Sequence, residues 1–253
     1  MSMAIIVTLA QRADLEKRVR RLDPDVWPTF MLQNEMASKY WRRLYTTFPE
    51  YQFALCDSEE EVIASGHSIP IDWDGSIANL PESWEAVLEK GFLDNERHLQ
   101  PNAIALLSIA VAPDHQKKGL SSLVLSAIKS LGANHGLAEL IAPVRPTYKS
   151  RYPLTSMEDY IKWRNAKGAP YDPWLRVHWR QGAEILKIAP RSLIITGTVA
   201  EWEKWTDMIF PESGNYIIPG ALQPVAIDRE KDIGHYEDPC VWMRTRIMKR
   251  KEI

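Results

Sequence analysis

The alternation of apolar and polar positions is clearest between residues 106 and 136. A short, mostly apolar run over residues 106–112 ends at Pro113, as a buried strand does. Apolar residues then return at steps of three and four, which predicts an amphipathic helix that ends at Gly136. These positions are Leu120, Leu123, Val124, Ala127, Ile128 and Leu131. The pattern therefore predicts a strand, a loop and a helix in direct succession.

The rest of the chain shows further strand and helix patterns on both sides of this segment. Before it, the pattern predicts a strand (residues 5–9), helices (14–22 and 30–48), paired strands (51–56 and 62–71) and a helix (81–92) with Pro81 in its first turn. After it, the pattern predicts strands (138–144, 184–188, 192–195, and near 216–218, 225–227 and 241–247). Asp172-Pro173 opens a helix that Gly182 closes, and Thr198 with Glu201 forms a capping box. The prediction is an α/β fold with a mixed sheet.

Composition excludes several classes of protein. The 253 residues carry a net charge of −2, so we expect neither a nucleic-acid partner nor an anionic membrane surface as partner. No apolar run approaches the roughly 20 residues of a membrane span. Cys56 and Cys240 have no metal or redox spacing, so we expect no metal and a reducing, cytoplasmic location. P-loop, Rossmann, nucleophile-elbow and HExxH zinc motifs are absent from the sequence.

The loop between the central strand and helix has the chemistry of an anion site. It brings Gln116, Lys117, Lys118 and Gly119 directly to the helix start at Leu120, Ser121 and Ser122. A helix start leaves amide N–H groups unpaired and carries about half a positive charge, and glycine lets an oxyanion approach the backbone. Phosphate is the expected anion. An ordinary strand-to-helix turn with two solvated lysines is the alternative.

The order of residues 116–121 resembles the Q/R-x-x-G-x-G/A signature of the GNAT superfamily of N-acetyltransferases, with Ser121 in place of the final Gly or Ala. The resemblance implies a mixed, mostly antiparallel sheet flanked by helices. It implies acetyl-CoA or another acyl-CoA as co-substrate, with its pyrophosphate on the loop amides of residues 116–122. It also implies that Ile109, Ala110 and Val111 contact the cofactor, and that the backbone N–H of Val111 stabilises the oxyanion.

A second segment, residues 172–183, resembles the late helix of the same family. Asp172 occupies the position of an Asn that contacts the cofactor. His178 occupies the position of a Tyr that protonates the leaving thiolate. An imidazolium with a pKa near 6.5 could protonate a thiolate of pKa near 8.5, so His178 is the candidate general acid. The alternative is that His178 packs among Trp174 and Trp179.

The general base has no clear sequence signal. Glu35, His67 and Asp72 are candidates, because the early helix and the third strand of the resembled fold face the acceptor; each could equally be a solvated or structural residue. We expect a single domain over residues 1–253, with a core of about residues 1–195. Residues 73–100 and 145–171 look like insertions, and residues 196–253 like a C-terminal extension. The second insertion is either a lid or a surface excursion.

The resemblance implies an N-acyltransferase that moves an acetyl or other acyl group to a small-molecule amine by direct attack. Two alternatives remain open at this point. One is a sensor or scaffold that binds acyl-CoA without transferring the acyl group. The other is a transferase of longer acyl groups, with the ten tryptophans widening the pocket. A homodimer through the additional C-terminal strands is one arrangement that the sequence allows.

Overall fold

The computed structural model describes residues 4–247, and its central feature is one sheet of nine strands. The strands are β1 (Ile5–Thr8), β2 (Gln52–Cys56), β3 (Val62–Ile71), β4 (Ala103–Val111), β5 (Glu139–Val144), β6 (Glu184–Gly197), β7 (Gly214–Tyr216), β8 (Val225–Asp228) and β9 (Ile233–Arg246). Their order is β1-β2-β3-β4-β5-β9-β8-β7, and β6 also pairs with β9. Within residues 4–247, only the β4–β5 pair is parallel. The predicted class, a mixed and mostly antiparallel sheet flanked by helices, is confirmed.

Eight α-helices accompany the sheet within residues 4–247. They are α1 (Glu16–Arg20), α2 (Leu22–Val26), α3 (Glu35–Thr47), α4 (Trp84–Glu96), α5 (Leu120–Asn134), α6 (Met157–Tyr160), α7 (Pro173–Arg180) and α8 (Val199–Thr206). The helix predicted over residues 30–48 is divided at Asn34, whose side chain accepts a hydrogen bond from the Ala37 amide and caps α3. The helix over residues 81–92 begins later than predicted, because the Ser83 hydroxyl caps α4.

A β-bulge in β4 opens the sheet. Ser108 pairs with His67 and Leu106 with Ser68, so Leu107 is an extra residue without a partner in β3. A bulge bends its strand and disrupts the ladder locally. The parallel pairing of β4 with β5 accordingly ends at Ala105 and Ile141, although both strands continue for several residues. Beyond the bulge the two strands separate and leave an opening in the sheet.

One C-terminal strand, β9, lies in the middle of the sheet, so residue 195 does not separate a core from an extension. Strand β6 runs through that position, and its irregular register against β9 merges the two strands predicted at residues 184–188 and 192–195. Strand β9 pairs with β5, β6 and β8, so it joins the two halves of the sheet. Residues 196–253 are therefore not an appendage, as far as they are described: they complete the core.

The predicted insertion at residues 145–171 is anchored at both of its ends. Arg145 makes a two-pronged ion pair with the buried Asp238, with Nε–Oδ2 at 2.8 Å. The ammonium of Lys149 is buried and donates to the carbonyl oxygens of Leu222 and Tyr152. Asp172 closes the segment: its carboxylate accepts from the Trp174, Leu175 and Tyr148 amides and from the Tyr160 hydroxyl. These bonds hold the segment against α7 and the C-terminal strands.

Candidate active site

The loop before α5 is shaped by left-handed residues. Lys117 has φ +62° and Gly119 has φ +81°. Gly119 is the N-cap of α5, and no side chain caps this helix. A Cβ on Gly119 would meet no atom within 4 Å, so open space lies over this residue. A turn that mixes left-handed and right-handed residues can aim successive amides at one point, and an uncapped helix start adds its own free N–H groups. The loop is therefore suited to hold an anion.

The strand that enters this loop presents two amides to the opening in the sheet. The Ala112 amide donates to the Ile63 carbonyl, so it points toward β3. Because N–H groups alternate along a strand, those of Val111 and Ile109 point the other way, where β5 no longer pairs with β4. By the same alternation the Ala110 amide is directed at β3. The Gln116 side chain donates to the Val111 carbonyl at 3.2 Å and braces the end of the strand.

A cavity of about 360 Å³ lies beside the separated strands. Residues 106–109 of β4 and 142–144 of β5 form one side. Four indoles form much of the remaining wall, those of Trp27, Trp41, Trp84 and Trp174. Its titratable side chains are Arg20, Asp23, Arg42, Arg145, His178 and Cys240. The cavity therefore combines an apolar, aromatic wall with a few charged groups, as small-molecule sites do.

His178 lies in the wall of this cavity, fully buried, with its ring edge-on to Trp174 at a centroid distance of 4.4 Å. Neither ring nitrogen has a hydrogen-bond partner among the described residues. Burial lowers the pKa of His178 to about 3. The sequence argument for an acid with a pKa near 6.5 therefore needs correction: near neutral pH this side chain is an uncharged imidazole.

The three candidate bases do not line the cavity. Glu35 is exposed at the start of α3. His67 is fully buried against Trp41 and Tyr45, with Nδ1 3.1 Å from the Gln52 side-chain oxygen, and burial lowers its pKa to about 3. Asp72 follows the far end of β3, where the Asn102 side chain donates to it. Asp72 is therefore at the opposite end of the β3–β4 pair from the opening.

Asp172 also lies away from the cavity lining. The structure confirms it as the N-cap of α7, with Pro173 at the first helical position. Both carboxylate oxygens are occupied by protein donors, so Asp172 has a structural role in place of the predicted contact with the cofactor. The predicted insertion contributes only Arg145 to the lining, so its described residues do not cover the cavity as a lid.

Sequence reasoning missed two residues that the structure brings to the site. The Gln181 side chain donates to the carbonyl and hydroxyl oxygens of Ser122, which ties the end of α7 to the first turn of α5. Asp23 on α2 lines the cavity, and its Oδ1 is buried with no partner among residues 4–247. Burial raises the pKa of Asp23 to about 6, against the opposing effects of the Trp41 indole and the Arg20 guanidinium. No local signal separates Asp23 from the exposed Asp25.

Two features are absent from residues 4–247. None of the helices there is long and apolar enough to cross a membrane. Nor does this part of the chain group three His, Cys, Asp or Glu side chains in a way that could hold a metal ion.

Comparisons with known proteins give one family. The family model described as "Acetyltransferase (GNAT) family" matches residues 17–151. The arginine N-acetyltransferase avaD of Aspergillus versicolor is 32% identical over an alignment of 270 positions. This alignment covers 93% of this chain and 91% of the relative.

Solved structures share the fold at low sequence identity. The loading GNATL domain of CurA from Lyngbya majuscula superposes with a TM-score of 0.65 at 19% identity, over 98% of this chain and 100% of that one. The GphF GNAT-like decarboxylase, in complex with isobutyryl-CoA, gives a TM-score of 0.59 at 17% identity, over 97% of this chain and 100% of that one. At these identities the likeness concerns the fold alone.

Proposed function

The chain belongs to the GNAT family of acetyltransferases and is thus an enzyme of acyl transfer, and from this premise we propose that it moves an acetyl group from acetyl-CoA to a small-molecule amine. The observation that carries the proposal is the continuity of three features. The aromatic cavity at residues 106–109, the free amides at the open end of β4 and the left-handed loop at Gly119 follow one another along β4 and the segment after it. Acetyl transfer from acetyl-CoA to an amine needs a phosphate site and an acceptor site, with the thioester site between them.

The loop would hold the pyrophosphate of the co-substrate. The amides from Lys117 to Ser121 and the two lysines supply hydrogen bonds and positive charge to an anion. The absence of a side-chain cap on α5 leaves the helix start free for that anion. Gly119 is suited to this position because it accepts φ +81° without strain and keeps the approach open.

The amides of Ile109 and Val111 would serve the reacting carbonyl. Both point to the side of β4 from which β5 has separated. Fixed N–H dipoles near a carbonyl oxygen stabilise the negative charge that develops when a nucleophile attacks, and they require no reorganisation. Bonding of the Gln116 side chain to the Val111 carbonyl holds this strand end in position.

The cavity would hold the acceptor amine. A carboxyl group, several guanidinium groups and aromatic walls together suit a small polar molecule that carries an amine. The relative from Aspergillus versicolor is named for arginine, so amino acids with a second amine or a guanidine are the first acceptors to test here. The sensor alternative is less favourable, because the family and the relative are both acetyltransferases.

The first test is thermal unfolding with and without saturating acetyl-CoA. A ligand at a hundredfold its Kd adds about 2.7 kcal/mol, which for a domain of this size corresponds to a rise of about 5–10 °C in Tm. Gly119→Glu should abolish the rise, because it adds bulk and negative charge at the phosphate site. Gly136→Glu is the matched control: it lies just beyond the other end of α5, also with a positive φ (+71°) and with open space around it.

Turnover is measured next, as release of free thiol from acetyl-CoA with arginine, lysine and simple alkylamines as acceptors. Thiol release that depends on an amine supports the transferase. A Tm rise that survives Gly119→Glu would contradict the loop as the co-substrate site. Faster release from longer acyl-CoA thioesters than from acetyl-CoA would replace the acetyl group in the proposal with a longer one.

A further inference from the structure

We propose that Asp23 is the general base that takes the proton from the acceptor amine, an inference that rests on the proposed function. The proposal starts from the position of this carboxyl. Asp23 lies on α2, which packs against β4, and it lines the cavity together with Ser108 and Ile109 of that strand. It therefore lines the same cavity as Ile109, whose amide we assign to the reacting carbonyl.

Several polar atoms of the cavity lining are free to form hydrogen bonds with a ligand. Oδ1 of Asp23, Oγ of Ser108 and both ring nitrogens of His178 are buried without a partner among the described residues. A buried polar atom without a partner is costly, and a buried carboxylate is more costly than a hydroxyl. Three such side chains around one cavity indicate that a polar ligand completes their bonding. Asp23 is the one among them that carries a negative charge when ionised.

The charged and titratable groups around Asp23 favour a base that works near neutral pH. Arg20 on α1 stabilises the carboxylate, and burial together with the charge of Asp23 raises the pKa of Tyr45 on α3. Around the same cavity lie Arg42, His178 and Cys240, as well as Arg145, whose charge is paired with Asp238. A carboxyl whose pKa is raised toward 6 is ionised at pH 8 and is a stronger base than an ordinary one.

The reaction step can be written so that atoms and electrons balance. The acceptor nitrogen donates its lone pair to the thioester carbonyl carbon, and the C=O π pair moves to the oxygen, which becomes an oxyanion. The new N–C bond leaves the nitrogen positively charged and acidic. Its proton passes to Oδ1 of Asp23. The oxyanion pair then re-forms the C=O bond while the C–S bond breaks, and the sulfur leaves as a thiolate with the bonding pair. The carboxyl returns its proton to solvent, from which the thiolate, with a pKa near 8.5, takes one up.

The experiment compares two neighbouring aspartates on one helix. Asp23→Asn keeps the shape of the side chain and removes the base, while Asp25→Asn changes an exposed residue of α2 as the matched control. We expect Asp23→Asn to lower kcat about 100-fold or more, while the Tm rise with acetyl-CoA stays as in the wild type. Asp25→Asn should leave both quantities unchanged, and Asp23→Glu, which restores a carboxyl, should recover part of kcat.

The pH profile separates a base from a structural residue. In the wild type, kcat should fall on acidification with an apparent pKa near that of the Asp23 carboxyl, and this limb should vanish in Asp23→Asn. If the wild type turns over and Asp23→Asn has the same kcat and pH profile, this inference is overturned and the proposed function still stands. Loss of the acetyl-CoA response in Asp23→Asn would also overturn it. Absence of wild-type thiol release with every amine and thioester would overturn the proposed function itself.

Discussion

Acidification from pH 8 to pH 5 should destabilise the protein through two buried imidazoles. His67 and His178 are fully buried, and burial lowers the pKa of each to about 3. In the unfolded chain both have a pKa of about 6.5. Between these values the unfolded state binds protons that the folded state does not bind. The free energy of unfolding therefore holds its full value above pH 6.5 and decreases as the pH falls toward 3.

The size of the effect follows from these pKa values. At pH 5 each imidazole lies about 1.5 pH units below its unfolded pKa, which removes about 2 kcal/mol per residue, or about 4 kcal/mol for both. Asp23 acts in the opposite direction: its folded pKa of about 6 lies above the unfolded value of 3.8, so protonation below pH 6 stabilises the fold. At pH 5 this returns about 1 kcal/mol. The net loss between pH 8 and pH 5 is about 3 kcal/mol.

Urea unfolding at pH 8 and pH 5, followed by tryptophan fluorescence, measures this loss directly. His178→Phe removes one of the two imidazoles and should reduce the loss to about 1 kcal/mol. His98→Asn is the control, because His98 is exposed and Asn tolerates its positive φ of 55°. A wild type that is equally stable at both pH values would refute the reasoning. So would a His178→Phe variant that retains the whole loss.

Two further predictions concern the bonds that hold residues 145–172 in place. Asp238→Ala leaves the buried Arg145 guanidinium without its carboxylate, and we expect urea unfolding to show a loss of about 3–5 kcal/mol; an unchanged midpoint would contradict the buried pair. Asp172→Ala removes two hydrogen bonds from this segment, those of Tyr148 and Tyr160, and two that cap α7. Trypsin should therefore cleave faster at the exposed Lys162, Arg164 and Lys167. The exposed Asp159→Ala is the matched control on the same segment, and equal cleavage in both variants would argue against the role of Asp172.

Local sequence signals predicted the elements that local physics determines. The strand, loop and helix around Gly119 appear as β4 and α5, because a hydrophobic period and a glycine with positive φ are readable from neighbouring residues. The Asp172 cap and the Thr198 capping box were predicted for the same reason and are confirmed. In each case the residues that decide the element lie within a few positions of one another along the chain.

The features that the sequence could not predict depend on packing between residues that are far apart in the chain. The position of β9 between β5 and β6 depends on pairings between residues far apart in sequence, so residues 196–253 looked like an extension. His178 was assigned an ordinary pKa because its burial comes from elements that its own helix does not specify. Asp23 differs from Asp25 only in facing β4 and the cavity, and that difference is created by tertiary packing.

Buried polar groups near the cavity fall into two sets. Arg145 and Asp238 bond to each other, Lys149 bonds to two carbonyl oxygens, and Asp172 accepts four hydrogen bonds. These groups are satisfied within the protein and hold the scaffold. Asp23, Ser108 and His178 are buried beside them with atoms that no described residue satisfies. Six other unpaired atoms lie elsewhere in residues 4–247, but only those at the cavity face a space that a small molecule could enter. Since folding tends to pair buried polar groups, a polar ligand would complete the bonding of these side chains, and the stability lost there would be the counterpart of the proposed binding and proton transfer.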